Sequence, residues 1–177
     1  MFPRTIPLEE DFHKLTFSER GLDLDKNFKF LALATDTGFT VPEADDAPYD
    51  VALGNQYFDL KLLTDKNGLE RTDYVYLSHN EFLFAKEHGM TYVVYRERSD
   101  LNEALLTSVF DFAYAREVGA VELFVDGKKV FCKATGKPET PWSINITRLQ
   151  EWLARDIEKD VMFPESWYNS FTLLTQQ

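Results

Sequence analysis

The stretch Pro48-Tyr49-Asp50-Val51-Ala52-Leu53-Gly54-Asn55-Gln56-Tyr57-Phe58-Asp59-Leu60-Lys61-Leu62-Leu63 reads as two strands joined by a tight turn. Gly54 and Asn55 both tolerate positive φ, so they suit a two-residue hairpin loop between strands at 49–53 and 57–63. Such a loop lays the strands antiparallel and sets Asp50 directly across from Asp59. Alternate side chains of a strand share a face, so Asp59 and Lys61 point together while Leu60 turns to the core. Two carboxylates and an ammonium then converge on one patch. Like charges facing each other across a sheet are destabilising. A hard divalent cation between them removes that cost, because Mg²⁺ takes one or two carboxylates and completes its shell with water and phosphate. Lys61 by itself offsets part of the repulsion, and the three side chains would equally serve as an ion network on a solvated sheet face.

Upstream, an apolar stripe of Phe28, Phe30, Leu31 and Ala34 predicts a helix over 25–34, and Phe39-Thr40-Val41 a short strand after Gly38. Residues 8–15 carry a shorter helical pattern. Downstream, Asp65-Lys66-Asn67-Gly68 makes a turn: with Leu69 at the next ligand position and the glycine early, it is no calcium loop. A strand at 74–77 leads into Ser78-His79-Asn80-Glu81, a capping box that starts a helix burying Phe82, Ala85 and Phe84 and ending at Gly89. Residues 91–95, β-branched and aromatic, read as an interior strand. These elements run α-β-β-β-β-α-β. Beyond them, the spacing of Leu105, Val109, Phe112 and Ala113 predicts a helix over 101–118. A hairpin of 121–125 and 128–133 around Asp126-Gly127, a strand at 144–146 and a helix over 147–158 follow, with Trp167, Tyr168 and Phe171 packing back. The fold class expected is α+β, a mixed central sheet flanked by helices.

At 177 residues, 44% hydrophobic and 15% aromatic, the chain has the material for one cored domain spanning 1–177. Cys132 is the only cysteine, which excludes a disulfide framework and a thiolate metal cluster; it reads as a small core residue. His13, His79 and His88 lack zinc spacing. Arg4 is followed by Pro7-Leu8-Glu9-Glu10-Asp11 rather than an apolar stretch, and no run approaches a membrane span, so a cytoplasmic location is expected. The formal charge of −11 opposes a polyanionic partner, although residues 1–60 carry −7 of it and residues 61–177 only −4. Lys128, Lys129, Lys133 and Lys137 form a basic stretch that would track a phosphate backbone or guard an edge strand against aggregation. Arg96 and Arg98 stand in the same two roles.

The hairpin resembles the catalytic core of the PD-(D/E)xK nuclease superfamily, with an acid on one strand, a tight turn and Asp59-Leu60-Lys61 on the next. Pro48 departs slightly, lying two residues before Asp50. The flanks Tyr76-Leu77-Ser78-His79-Asn80-Glu81-Phe82 and Tyr92-Val93-Val94-Tyr95-Arg96 are similar to a restriction-related branch of that superfamily. The likeness covers about 28–98 and leaves 100–177 as a C-terminal helical and hairpin extension. It implies a restriction-endonuclease-like core in which Asp50, Asp59 and the Leu60 carbonyl hold Mg²⁺, or Mn²⁺ as a substitute, and Lys61 positions the attacking water. A further helix-borne acid is implied, with Glu19, Asp23 and Asp25 as candidates. The expected activity is metal-dependent hydrolysis of nucleic-acid phosphodiesters, chiefly DNA, with Arg96, Arg98, Lys128 and Lys129 on the backbone and a homodimer as the plausible assembly. The high acidity supports an alternative: a non-catalytic interaction protein that binds a basic protein partner or mimics DNA. A metal-free structural subunit is the third reading.

Overall fold

Thr91-Tyr92-Val93-Val94-Tyr95 is buried without a break, so both faces of this strand are covered and the sheet must form around it. The computed structural model describes residues 5–8, 24–29, 38–44, 47–63, 74–98, 101–123, 130–132, 137–139 and 141–155. Its main sheet takes strands β1 (Thr5–Pro7), β2 (Phe39–Thr40), β3 (Val51–Leu53), β4 (Gln56–Leu63), β6 (Thr91–Arg98) and β7 (Glu103–Asp111), in the order β1-β7-β6-β4-β3-β2. Only β4 and β6 run parallel; the other neighbours are antiparallel, giving a mixed sheet. A smaller sheet orders β5 (Tyr74–Leu77), β11 (Trp142–Asn145) and β8 (Val121–Leu123) as β5-β11-β8. Strands β9 (Val130–Cys132) and β10 (Lys137–Glu139) pair separately. The helices are α1 (24–29), α2 (His79–His88), α3 (Phe112–Glu117) and α4 (Ile146–Arg155). This is the expected α+β class, and from α1 to β6 the element order matches the sequence reading.

The sheet separates two cores. Phe58, Leu60, Leu62, Val93 and Tyr95 pack with Leu24 and Phe28 of α1 on one face. On the other, Leu63, Tyr92, Val94 and Phe110 pack with Phe82 and Ala85 of α2 and with Val75, Leu77 and Ile144 of the small sheet. Phe82 stacks on Trp142 with ring centroids 3.9 Å apart and planes 4° from parallel, tying α2 to β11. The capping box is formed: Ser78 Oγ accepts from the Glu81 amide at 3.1 Å, and the Ser78 amide donates to Glu81 Oε1 at 3.2 Å.

The hairpin register is the predicted one, with Val51 opposite Phe58 and Leu53 opposite Gln56. Of the two turn residues only Gly54 has positive φ, at 60°, the pattern of a II′ turn.

Three expectations are corrected. Residues 103–111 form β7 rather than a helix: Ala104, Leu106, Ser108 and Phe110 are buried in strict alternation, while Ala113 is exposed. Pairing with the buried β6 overrides the helix propensity of Ala104-Leu105-Leu106, and a bulge between Val94 and Tyr95 breaks the alternation in the partner register. The strand therefore belongs to the main sheet, not to a C-terminal extension. Strands β8 and β9 do not pair with each other; β8 pairs with β11 and β9 with β10. The 65–68 turn, Lys128, Lys129, the Asp126-Gly127 turn and the 167–171 aromatics lie outside the described residues, as does nearly all of the 8–15 pattern. No helix among the described residues is long and apolar enough to cross a membrane.

Substituting Gly54→Ala forces a Cβ into positive φ, a strain of about 1–2 kcal/mol. The expected drop in melting midpoint is about 2–8 °C, read by circular dichroism. An unchanged melt would mean that the turn does not fix the hairpin.

Candidate functional site

Strand β3 ends at Val51, and there the Asp50 side chain continues the ladder: Asp50 Oδ2 accepts from the Leu60 amide at 2.7 Å, while the Asp50 amide donates to the Phe58 carbonyl at 2.9 Å. The hairpin thus delivers Asp50 to the middle of β4. Leu60 enters the site through its N–H, whereas the resemblance implies its carbonyl. Because Leu60 is on the α1 face, Asp59 and Lys61 turn to the α2 face, and this face is not solvated. Asp59 is 5% exposed.

Lys61 is the hub. Its Nζ donates to Glu81 Oε2 at 2.9 Å and stands 3.0 Å from Asp59 Oδ2. Asp59 Oδ2 is thus buried and ion-paired with Lys61, and makes no hydrogen bond among the described residues. Glu81 therefore works twice, capping α2 with one oxygen and holding Lys61 with the other. From α1, Lys29 Nζ reaches to 3.9 Å of Asp50 Oδ1, and Asp25, one turn earlier, feels the charges of Asp50, Lys29, Lys61 and Glu81. Tyr92, the register partner of Asp59 on β6, adds a buried hydroxyl that also lacks a hydrogen-bond partner among the described residues.

Four carboxyls around one buried ammonium set the electrostatics. Burial pushes Asp25 up to about 8, with Asp50 and Glu81 adding to the rise and Lys29 and Lys61 opposing it. Burial likewise holds Asp59 well above the carboxylate range; Lys61 opposes the rise, and Asp50 and Glu81 add to it. A proton on Asp59 is within hydrogen-bonding reach of both Asp50 and Glu81. Burial alone would depress Lys61, but the attraction of Asp59 and Glu81 reverses this and keeps it charged. Burial would raise Glu81 too; Lys61 and the hydrogen bonds from Asp59, Lys61 and the Ser78 amide instead hold it low.

The structure thus brings Asp50, Asp59, Lys61 and the Leu60 main chain together, as the sequence suggested, and adds Asp25, one of the three candidate helix-borne acids; the other two, Glu19 and Asp23, lie outside the described residues. Sequence reasoning missed Glu81, Lys29 and Tyr92. The first had a signal, since its capping box sits within the flank quoted for the resemblance. Arg98 pairs with its cross-strand neighbour Glu103 at 3.6 Å, and Arg96, half-buried, aligns with Leu63, past Lys61 on β4. Among the described residues no group of three or more His, Cys, Asp or Glu side chains is set out to hold a metal ion. Compared with known families, with curated proteins and with solved structures, the chain matches none.

The cluster fixes the pH dependence of stability. Asp25 titrates near 8 when folded and near about 3.9 when unfolded, so the folded state holds a proton that the unfolded state has lost across that window. Stability therefore falls as pH rises from about 4 to about 8, and Asp59 acts in the same direction. Glu81, held low, contributes in the opposite sense and loses its share only as pH drops below its unfolded value. In chelating buffer the melting midpoint is expected to be several degrees lower at pH 8 than at pH 5, with Asp59→Asn flattening the slope. Identical midpoints in the wild type would show that the carboxyls are solvated.

Proposed function

We propose that this chain is a metal-dependent nuclease hydrolysing nucleic-acid phosphodiesters, with DNA the expected substrate. One observation carries the reading: Asp59, buried with its Oδ2 3.0 Å from Lys61 Nζ and making no hydrogen bond there among the described residues, shares one cluster with Asp50, Glu81 and Asp25. A fold has no structural reason to gather like charges where each raises the cost of the next, and such clusters mark sites where chemistry is done.

The donor set fits a hard cation. It offers carboxylate oxygens, and one of them, Asp59 Oδ2, makes no hydrogen bond among the described residues. With Lys61 among the acids there is no closed protein cage, which suits Mg²⁺ or Mn²⁺, ions that retain water and bind substrate phosphate, better than Ca²⁺ with its larger shell. Asp50 and Asp59 would hold the ion. When bound, it supplies Lewis acidity toward a phosphoryl oxygen and lowers the pKa of water. Lys61, fixed by Glu81, keeps its charge and places it beside the reacting phosphate, where it stabilises developing negative charge without reorganising. Asp50 is positioned by the Leu60 amide, so its second oxygen is the one turned toward Lys29. Asp25 stores a proton at its carboxyl in the folded state.

Calorimetric titration with Mn²⁺ is expected to show saturable binding that Asp59→Asn abolishes, along with cleavage. The same variant should melt no lower than wild type at pH 8, since it removes a buried charge that like charges oppose. Lys61→Met should also abolish cleavage but unfold more easily, by about 3–5 kcal/mol, because it leaves buried carboxylates uncompensated. If Asp59→Asn instead destabilises strongly and wild type binds no Mn²⁺ with or without an oligonucleotide, the cluster is an ion network and the acidic interaction protein becomes the better reading.

A further inference from the structure

A cleft of about 180 Å³ opens at one end of the main sheet, beside the carboxyl cluster but outside it. The β3–β4 turn contributes Asn55 and Gln56, β4 contributes Tyr57, the end of α2 contributes His88, and Thr91 and Asp111 close the side formed by β6 and β7. Tyr57 lies two residues before Asp59 on the same face of β4, a separation of about 6–7 Å. Thr91 pairs with Phe58, one step from the Asp59–Tyr92 pair. The cleft is therefore within one nucleotide's reach of the proposed phosphate site.

Its walls have two characters. Tyr57 is braced by Tyr49 at 4.8 Å and Phe84 at 4.9 Å, ring to ring, and meets His88 edge to face at 6.2 Å with the planes 66° apart. A ring held this way is a rigid stacking surface. Opposite it, Asp111 Oδ1 accepts from Thr91 Oγ1 at 3.3 Å, which fixes the carboxyl, and the carboxamides of Asn55 and Gln56 are exposed at the rim. Burial holds the Asp111 carboxyl above its usual range, with the Thr91 hydrogen bond opposing. The volume is below that of ordinary drug-sized pockets, about 300–1,000 Å³, and suits a single flat heterocycle.

We infer that this cleft takes one unstacked nucleobase bearing an exocyclic amino group, stacked on Tyr57, bounded by His88 and read at its edge by Asp111. Unpaired bases are recognised by aromatic stacking combined with hydrogen bonds to their edges, and a carboxylate selects the amino group of cytosine over the carbonyl of thymine. The inference rests on the nuclease reading and narrows its substrate to strands that are single or locally opened at the cut. An acid at the base rather than a lysine also accords with a chain of charge −11, which must draw affinity from bases as well as phosphates.

The test is fluorescence anisotropy with labelled oligo(dC), oligo(dT), their ribo counterparts and a duplex, with Ca²⁺ as the divalent ion, alongside Mn²⁺ calorimetry on the same protein. Wild type should bind the cytosine strand about tenfold tighter than the thymine or uracil strand, and the duplex weakest. Asp111→Asn keeps an acceptor for Thr91 but turns an amide donor to the ligand, so the preference should vanish or invert while Mn²⁺ binding is unchanged. His88→Ala, at an exposed position, should weaken both strands several-fold and serves if Asp111→Asn fails to fold. Equal binding of the strands by wild type, a preference that survives Asp111→Asn, or duplex binding as tight as single strand would overturn the base cleft. Mn²⁺ binding without strand binding sinks the cleft and leaves the metal reading; strand selectivity without Mn²⁺ binding does the reverse.

Discussion

The ammonium of Lys61 is what the centre of this molecule depends on. It lies on the covered α2 face of β4, among Asp59, Glu81, Asp50 and Asp25, where no carboxylate would be tolerated ionised without a cation nearby. Everything that fixes Lys61 is also structural. The strand alternation of β4 aims it, the capping box of α2 supplies Glu81, and the parallel β4–β6 pair places the buried Tyr92 beside Asp59. The start of α2 and the middle of β4 are thereby joined by a charge-assisted hydrogen bond as well as by the packing of Phe82 and Ala85. Lys61 and the partly exposed Lys29 nevertheless do not balance four acids. Burial, with the repulsion of neighbouring acids added to it, raises the protonation of Asp25 and Asp59, and it is this burial of like charges that separates the cluster from an ordinary surface ion network.

How far the sequence disclosed this follows from which forces are local. The two-residue loop at Gly54-Asn55 has only a few geometries, so the register of Val51–Leu53 against β4 could be read before any tertiary contact was known, although Asp50, just outside β3, bonds Phe58 and Leu60 rather than pairing with Asp59. The capping box of Ser78 and Glu81 is equally local and was equally legible. What could not be read was the second task of Glu81. A side chain satisfied by its own helix start gives no sign that its other oxygen reaches a lysine twenty residues earlier in the chain. That Asp25 reaches the cluster also depends on α1 docking against the sheet, which no local pattern announces.

The misreading of 103–111 has the opposite cause. Leu105, Val109 and Phe112 happen to recur at helical spacing, and Ala104-Leu105-Leu106 favour a helix, so local preference and the accidental period agreed. The true alternation of Ala104, Leu106, Ser108 and Phe110 contains a serine and an alanine, which blunts the apolar signal. Only the buried β6, which needs a partner on its open side, decides for a strand. The assignment carries a functional consequence, because a strand at 103–111 ends with Asp111 beside Thr91, at the mouth of the cleft, whereas a helix would have carried it elsewhere.

Charge and fold then explain each other. A chain with thirty acidic and nineteen basic residues is poorly suited to hold nucleic acid by its backbone. Arg98 is engaged by Glu103. On the proposed reading, the sheet instead gathers around its β4–β6 seam an acid cluster that would approach phosphate through a divalent cation, and an aromatic cleft that would hold a base whatever the sign of the surrounding field. In such an arrangement the cation would be the condition for the polyanion to approach at all. Affinity and catalysis would then share one requirement, and a strand would be engaged only where it has already come unpaired.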